Sequence, residues 1–269
     1  MVAEGVMWTQ AITSWWKRLA FETVPEIKIG VDIGGSGIKA GLVSVEDGEL
    51  VSDRLRIETP EPATPDSVTA VVVDLVDQLG SDVAIGVGFP AVIQHGVASS
   101  ANNIDRKWVG VNVEDRLGDA LGKPVTVVND ADAAGVAEVR FGAARGVSGV
   151  VIVLTFGTGV GSALIVDGKL VPNLELGQLE FDGVIPGEKL VSAKARKTRG
   201  LGWGEWADDV ARYLDLVQSV FTPDLMILGG GAAKFWNEFE QKVSAGRKIV
   251  PAVLSNDAGV VGAALIARQ

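Results

Sequence analysis

The 269-residue chain contains no cysteine and a single histidine, His95. Disulfide bonds and a zinc site built on thiolates are therefore excluded. No apolar run is long enough to span a bilayer, and the N-terminus lacks the layout of a signal peptide. The net charge of -10 argues against general nucleic-acid binding, which needs a basic face. These absences predict a cytoplasmic protein whose partners include neither a membrane nor a nucleic acid.

Glycine and apolar residues are plentiful, with 34 glycines and 47% hydrophobic residues. A chain of this size can bury a large core, and two lobes are expected. Strands alternate with helices, which indicates an α/β fold with mixed sheets covered by helices. The predicted strands are 27–33, 38–45, 49–57, 82–89, 124–128, 149–155, 160–166, 224–228 and 248–253. The predicted helices are 65–79, 112–121, 131–141, 203–220, 232–243 and 257–267.

The first glycine-rich turn links two of these strands. An apolar strand carries Asp32 into a turn of Gly34, Gly35 and Ser36, and the next strand carries Lys39. Glycines allow positive φ and leave the backbone bare, so that successive N–H groups can bind phosphate. Asp32 is placed to hold Mg²⁺, through water, against the same phosphates. An ordinary hairpin with a glycine-rich turn is the alternative.

A second turn repeats this arrangement, which predicts a duplicated lobe. Gly157, Thr158 and Gly159 lie between two apolar strands. A third cluster follows a later strand and consists of Gly229, Gly230 and Gly231. Neither a Walker A motif nor G-x-G-x-x-G is present. The repeat predicts two hairpin tips that face one another across a cleft, each cradling phosphates.

Asn129 and Asp130 lie where an apolar strand gives way to a helical pattern. Ligands collect at this carboxyl edge of the strands in open α/β sheets. A carboxylate here can accept a proton from a hydroxyl group during phosphoryl transfer. Capping of the helix by either residue is the structural alternative.

Five motifs in order, DIGGSGIKAG, NDADAAG, LTFGTGVGSAL, LELGQLEFDG and LGGG, resemble those of the ROK (repressor, open reading frame, kinase) sugar kinases. Within that family they are most similar to the actinobacterial polyphosphate glucokinases and polyphosphate/ATP glucomannokinases. The resemblance runs from about Ile27 to the C-terminus. It implies a two-lobed, actin-like ATPase (ribonuclease H-like) fold with an interlobe cleft. Residues 27–128 would form the small lobe, and residues 129–269 the large lobe with a C-terminal helix.

The resemblance also implies a homodimeric, Mg²⁺-dependent kinase that transfers a phosphoryl group from polyphosphate and/or ATP to the 6-hydroxyl of glucose. Asp130 would be the general base. The residues that it implies for sugar binding are Asn102, Asn103, Asn129, Glu175, Gln178 and Glu180. Without the resemblance, such residues on loops are most often exposed surface residues.

Gln178 departs from the family pattern, in which Glu-Leu-Gly is followed by histidine. In the zinc-containing branch that histidine and several cysteines bind the metal, so a zinc site is excluded here. In the polyphosphate branch the histidine would contact the sugar. A glutamine N–H can donate a similar hydrogen bond without titrating, which predicts retained activity with altered sugar affinity or preference. His95 fits a turn.

The phosphoryl donor depends on two further features. ATP needs a purine slot, plausible at Gly229–Gly231 and 256–262, whereas polyphosphate needs a track of basic groups. The basic run consists of Lys189, Lys194, Arg196, Lys197 and Arg199. A solvated helix face is the alternative interpretation of that run.

Two alternative functions stay open at this point. The chain could phosphorylate mannose or another hexose, or bind sugar with weakened catalysis.

In residues 1–26, an apolar stripe of Trp8, Ile12, Trp15 and Trp16 predicts an amphipathic helix. That helix would pack on its own domain or face a partner or membrane.

Overall fold

The computed structural model describes residues 25–268. The helix predicted in the N-terminal extension, with its stripe from Trp8 to Trp16, lies outside the described residues. No helix in the described part of the chain is both long and apolar enough to cross a membrane.

The first half of the described chain builds one five-stranded sheet and a small hairpin. Its strands are β1 (Ile27–Gly34), β2 (Gly37–Ser44), β3 (Leu55–Ile57), β4 (Ile85–Phe89), β5 (Ile93–Gln94), β6 (Val97–Ala98) and β7 (Val125–Asn129). The sheet order is β3-β2-β1-β4-β7, with β5 and β6 paired separately. The β3-β2-β1 pairs are antiparallel and the β1-β4-β7 pairs are parallel.

The second half repeats this topology in another five-stranded sheet. Its strands are β8 (Val150–Phe156), β9 (Val160–Val166), β10 (Lys169–Val171), β11 (Leu225–Gly229) and β12 (Ile249–Pro251). The order β10-β9-β8-β11-β12 again joins an antiparallel half to a parallel half. The predicted α/β fold with a duplicated lobe and mixed sheets is confirmed.

Helices cover the sheets and connect the parallel strands. They are α1 (Pro65–Leu79), α2 (Val113–Leu121), α3 (Asp130–Arg140), α4 (Glu188–Val191), α5 (Ala193–Thr198), α6 (Trp203–Phe221), α7 (Glu240–Val243) and α8 (Ala258–Ile266). Short 3₁₀ segments span Arg106–Trp108, Leu176–Gln178 and Gly231–Glu238. Helix α1 matches its prediction because its ends are encoded locally. Thr64 caps its first turn, Pro65 begins it, and Gly80 follows it with a left-handed φ of 60°.

Several predicted elements differ from the structure. The helix predicted at 232–243 is instead a 3₁₀ segment followed by α7, because Phe235 leaves helical geometry (φ -111°, ψ 22°). The strand predicted at 49–57 is reduced to β3, with Leu50 making only a single bridge to Val43. The short elements β5, β6, β10, α4 and α5 are absent from the prediction.

Helix α8 is seated directly on the backbone of the first sheet and of α3. A Cβ atom at Gly30 would lie 1.9 Å from the Val260 carbonyl oxygen. One at Gly262 would lie 1.7 Å from the Ala133 carbonyl oxygen. The predicted second lobe includes this C-terminal helix, whereas the structure packs it against β1 and β4. The division of the chain at 128/129 otherwise stays a prediction.

We expect Gly262→Ala to destabilise the fold by roughly 3 kcal/mol, because a methyl group would have to separate two helix backbones that touch. Equilibrium urea unfolding measures the change. Gly204→Ala on α6 is the matched control, since the atom nearest to its added Cβ would be Lys242 Nζ at 4.0 Å. That control should be neutral or slightly stabilising, because alanine favours helix over glycine. Equal stability of Gly262→Ala and wild type would contradict the packing argument.

Candidate active site

The two glycine-rich turns face one another across the cleft between the lobes. A Cβ atom built on Gly35 in the first turn would lie 3.7 Å from Thr158 Oγ1 in the second. Between them is a cavity of about 180 Å³. The predicted site residues that line it are Gly35, Asn102, Asn103, Asn129, Asp130, Gly157, Thr158, Gly159, Glu175, Gln178 and Gly230. Residues far apart in sequence therefore meet at a single cleft.

Steric space requires glycine at Gly159 but not at Gly157, where a built Cβ atom would have no neighbour within 4 Å. None of Gly34, Gly35, Gly157 and Gly159 has a φ in the left-handed region, contrary to the sequence argument. A Cβ atom on Gly159 would lie 2.3 Å from a carboxylate oxygen of Glu188. Close approach is thus the physical reason for glycine at that position.

Asn129 and Asp130 divide two tasks that the sequence could not separate. The Asn129 side-chain oxygen caps α3 by accepting from the N–H groups of Ala131 (2.9 Å) and Asp132 (3.2 Å). Its side-chain nitrogen donates to the Ala91 carbonyl at 3.1 Å. Asn129 is therefore committed to the helix start. Asp130, with one oxygen accepting from Ala131 N at 2.8 Å, presents its carboxylate to the cleft.

Burial among other acidic groups shifts the titration of two carboxylates in the cleft. Desolvation, the nearby Asp32 carboxylate and other acidic neighbours raise the pKa of Asp130 to about 7, against the opposing hydrogen bond from Ala131 N. Desolvation, Glu188 and Asp132 raise the pKa of Glu175 to about 7. Asp130 is thus poised to accept a proton near neutral pH.

A second cavity of about 190 Å³ lies on the other side of Asp130. Its polar and glycine lining consists of Asp32, Lys39, Asp130, Glu138, Thr155, Gly229, Gly230, Gly231, Ser255, Asn256 and Gly259. The predicted purine region and the third glycine cluster thus meet here. Lys39 Nζ donates to Asp32 Oδ2 at 2.7 Å, so this lysine is paired with the carboxylate at the mouth of the first turn.

The fit of a magnesium ion can be judged from the donors present. In the described residues, no group of three or more His, Asp or Glu side chains is arranged to hold a metal. Asp32 lines the second cavity with the Gly229–Gly231 cluster, and Asp130 and Glu138 are the other carboxylates there. Mg²⁺ commonly binds through one carboxylate, waters and substrate phosphates, so this donor set suits it. The arrangement is not suited to a metal held by protein ligands alone.

Glu188 lines the cleft although the sequence analysis did not select it. Its Oε2 accepts from Val160 N at 2.8 Å, which fixes the carboxylate beside Gly159 and Gly177. The signal available in the sequence was that Glu188 is an acidic residue directly before the basic run that starts at Lys189. Glu188 could be identified as a cleft residue only from the folded structure, because α4 and β9 are separated in sequence and come together in the fold.

Three predicted residues lie differently from expectation. Glu180 is exposed and lines neither cavity. Ser36 also lies outside both, and its carbonyl accepts from Arg56 Nη2 at 2.8 Å. The Gly34 carbonyl accepts from Thr59 Oγ1 at 2.5 Å, which anchors the first turn. These contacts give the last two residues structural roles in the hairpin.

The basic run divides into free and engaged cations. Lys189, Lys194 and Arg199 line a groove of about 290 Å³ that shares Asn103, Thr158 and Glu188 with the cleft. Lys194 and Lys197 are exposed.

Arg196 and Arg199 have protein partners. The Arg196 guanidinium stacks 3.8 Å over the Trp203 ring and donates to the Leu201 carbonyl, so it faces the protein rather than the groove. Arg199 pairs with Asp209 at 2.7 Å. The predicted phosphate-binding role of Arg196 does not fit this arrangement.

We expect Asp130→Asn to stabilise the protein at pH 8 by on the order of 1–3 kcal/mol and much less at pH 4. The folded state holds the Asp130 proton with a pKa of about 7 against an ordinary 3.8, so stability falls as pH rises between these values. Asparagine removes this loss. Urea unfolding at both pH values measures it, with the exposed Asp119→Asn on α2 as control. A gain independent of pH would contradict the assignment.

Comparison with known proteins places these features in a family. Residues 28–173 match the model of the ROK family. The chain is 43% identical over 237 residues to a polyphosphate glucokinase of Mycobacterium tuberculosis, covering 88% of this chain and 89% of that protein.

Solved structures agree with this match. An inorganic polyphosphate/ATP-glucomannokinase from Arthrobacter sp. strain KM is 48% identical with a TM-score of 0.85, covering 89% of this chain and 97% of that one. A ROK family glucokinase from Streptomyces griseus, crystallised with glucose and AMPPNP, is 27% identical with a TM-score of 0.77, covering 90% and 99%. The resemblance read from the five motifs is confirmed, and the chain belongs to the ROK family.

Proposed function

We propose that this protein is a sugar kinase that transfers a phosphoryl group from polyphosphate and/or ATP to the 6-hydroxyl of glucose. The observation that carries the proposal is the position of Asp130 on the wall shared by two cavities. The first cavity holds the sugar-binding candidates together with the two facing turns, and the second holds Gly229–Gly231 and Asp32. The polyphosphate glucokinase and glucomannokinase relatives support this substrate class.

Asp130 acts as the general base in this proposal. A sugar hydroxyl is a poor nucleophile, and a carboxylate that accepts its proton as the oxygen attacks phosphorus assists the transfer. The proton moves from the 6-hydroxyl to Asp130 while the bond from phosphorus to the donor oxygen breaks. A pKa near 7 keeps a useful fraction of Asp130 ionised at neutral pH.

The sugar lies against the polar side chains of the first cavity. Asn103, Glu175, Gln178 and Glu188 supply both donors and acceptors for its hydroxyl groups. A buried hydroxyl left without a partner would weaken binding, so this set gives selectivity for hydroxyl pattern. Asn129 serves indirectly, because its cap orients the first turn of α3 and with it Asp130.

The donor phosphates lie between the two facing turns. Backbone N–H groups around Gly35 and at Thr158 and Gly159 would receive them, since Gly157 N already donates to the Gly159 carbonyl at 3.0 Å. Asp32 would hold Mg²⁺, which would neutralise charge on the transferring group. Closure of the lobes excludes water, which would otherwise hydrolyse the donor.

The choice of phosphoryl donor would depend on two sites next to the facing turns, the second cavity and the basic groove. The second cavity, with Gly229–Gly231 and Asn256, is the proposed nucleotide site. The basic groove beside Asn103 and Thr158 is the proposed entry for polyphosphate, because an extended polyanion is bound by repeated cations.

A coupled glucose-6-phosphate assay with Mg²⁺ and glucose, run in parallel with ATP and polyphosphate, tests the proposal. We expect turnover with at least one donor and a loss of about 10³-fold or more in Asp130→Ala. Turnover of Asp130→Ala near the wild-type rate would refute the mechanism. No turnover with either donor would refute the glucokinase assignment.

The basic groove makes a separate prediction about polyphosphate. We expect Lys194→Ala combined with Lys197→Ala to raise the polyphosphate KM about 3- to 10-fold, because two exposed cations near the groove are lost. The ATP KM should change less than about 2-fold, since these lysines lie outside the second cavity. Lys248→Ala, an exposed lysine beside the far edge strand β12, is the control. Equal effects on both donors would contradict a polyphosphate track.

Gln178 favours one alternative, a kinase whose preferred sugar is mannose or another hexose. It lines the cleft at the position where the family pattern has histidine. A panel of hexoses assayed with wild type and Gln178→His tests this alternative, which predicts a shift in relative kcat/KM. A cytoplasmic homodimer is a further proposal from the family resemblance, and light scattering tests the dimer.

A further inference from the structure

The loop that carries Glu175 is anchored on both sides of that residue. On one side, Asn173 N donates to Asp132 Oδ2 at 2.8 Å. On the other, Ser162 Oγ donates to the Leu174 carbonyl at 2.5 Å and accepts from Leu176 N at 2.9 Å. The backbone around Glu175 is thus fixed to α3 and to β9.

The burial of Asp132 is unfavourable for the stability of the folded protein. The residue is fully buried in the first turn of α3, and its Oδ1 has no hydrogen-bond partner. An unpaired buried oxygen lowers the stability of a fold, so a residue that keeps one is a candidate for a role other than stability. Desolvation raises the pKa of Asp132 to about 6, against the hydrogen bond from Asn173 N, which agrees with the burial of this carboxylate.

The sequence spacing gives this hydrogen bond a geometric role. Asp132 follows Asp130 by two residues, and Asn173 precedes Glu175 by two residues. The bond between Asp132 and Asn173 therefore ties the backbone that carries the base to the backbone that carries a sugar-binding carboxylate. A shift in either segment would change the distance between the two functional groups.

Asn173 extends the connection to the first lobe. Its side-chain oxygen accepts from Ile93 N at 2.9 Å, and its side-chain nitrogen donates to the Ile93 carbonyl at 2.9 Å. Ile93 begins β5 in the small hairpin after the first sheet. Asn173 has a left-handed φ of 64°, which asparagine tolerates better than most residues. One residue of the second lobe is thereby paired with the first lobe through two hydrogen bonds.

We propose that Asp132 is a positioning residue that, with Asn173, sets Glu175 relative to Asp130 and links that placement to contact between the lobes. The inference rests on the proposed function for the identity of the sugar. Asp132 does not touch the substrate in this scheme. It acts through the backbone of residues 173–175.

Three variants test separately the bond from Asn173 N to Asp132, the charge of Asp132 and the bonds from Asn173 to Ile93. Asp132→Ala removes the acceptor for Asn173 N. Asp132→Asn retains an oxygen acceptor of the same shape without the charge. Asn173→Gly keeps the left-handed backbone, its N–H and the bond to Asp132 but removes both bonds to Ile93.

The primary measurement is the glucose dissociation constant by calorimetry, which needs no phosphoryl donor, followed by KM and kcat. We expect Asp132→Ala to weaken glucose binding at least 10-fold while the donor KM changes less than 2-fold. Asp132→Asn should stay within 3-fold of wild type. Asn173→Gly should weaken glucose binding about 5-fold.

Asp224→Ala, at an exposed position, is the control for loss of a carboxylate-to-backbone hydrogen bond away from the cleft. Asp224 Oδ2 accepts from Val150 N at 2.8 Å, the same kind of bond, at the end of β8 opposite the cleft. This control should lower the unfolding free energy without changing glucose binding.

Unchanged glucose binding in folded Asp132→Ala, or an equal loss in Asp224→Ala, would overturn the proposal. If Asp132→Ala does not fold, wild-type affinity in Asn173→Gly would overturn the link to lobe contact. Wild-type protein that binds glucose without turnover would instead refute the proposed function and leave the positioning role testable.

Discussion

Direct contact between backbones at glycine is the constraint on which the structure depends. At Gly30, Gly86 and Gly262 a Cβ atom would lie less than 2 Å from a carbonyl oxygen of a neighbouring element. Helix α8 can therefore rest on the first sheet and on α3, which also packs against β8 and β9 of the second sheet. Together, these two helices contact both five-stranded sheets. The N-terminus of α3 carries Asp130, so the same packing fixes the position of this carboxylate in the cleft.

The cleft concentrates acidic groups that water would otherwise solvate. Burial raises the pKa values of Asp130, Asp132 and Glu175, and repulsion from neighbouring carboxylates adds to the shift at Asp130 and Glu175. Asp32 is compensated by Lys39. This arrangement lowers the stability of the empty protein, and a bound sugar would offset part of that loss through its hydroxyl groups. Such a balance between stability and function is common at active sites.

The basic run shows that identical charges can serve different purposes. Arg196 is held over Trp203 and donates to a carbonyl, so it stabilises the fold of the second lobe. Lys194 projects from the same short helix α5 into solvent beside the cleft. A planar guanidinium suits stacking and bidentate contacts, whereas a lysine ammonium is a compact, strongly hydrated charge on a flexible stem.

The sequence by itself determined the features that depend on neighbouring residues. Strand patterns, the ends of α1, both glycine turns and the motif order are local, so the duplicated α/β fold and Asp130 could be predicted. Only the tertiary structure decided that Asn129 caps α3, that Glu188 lines the cleft and that Glu180 is exposed. It also decided that α8 packs on the first sheet. These depend on which distant segments meet, and hydrogen bonds and desolvation act between segments whose contact no local pattern specifies.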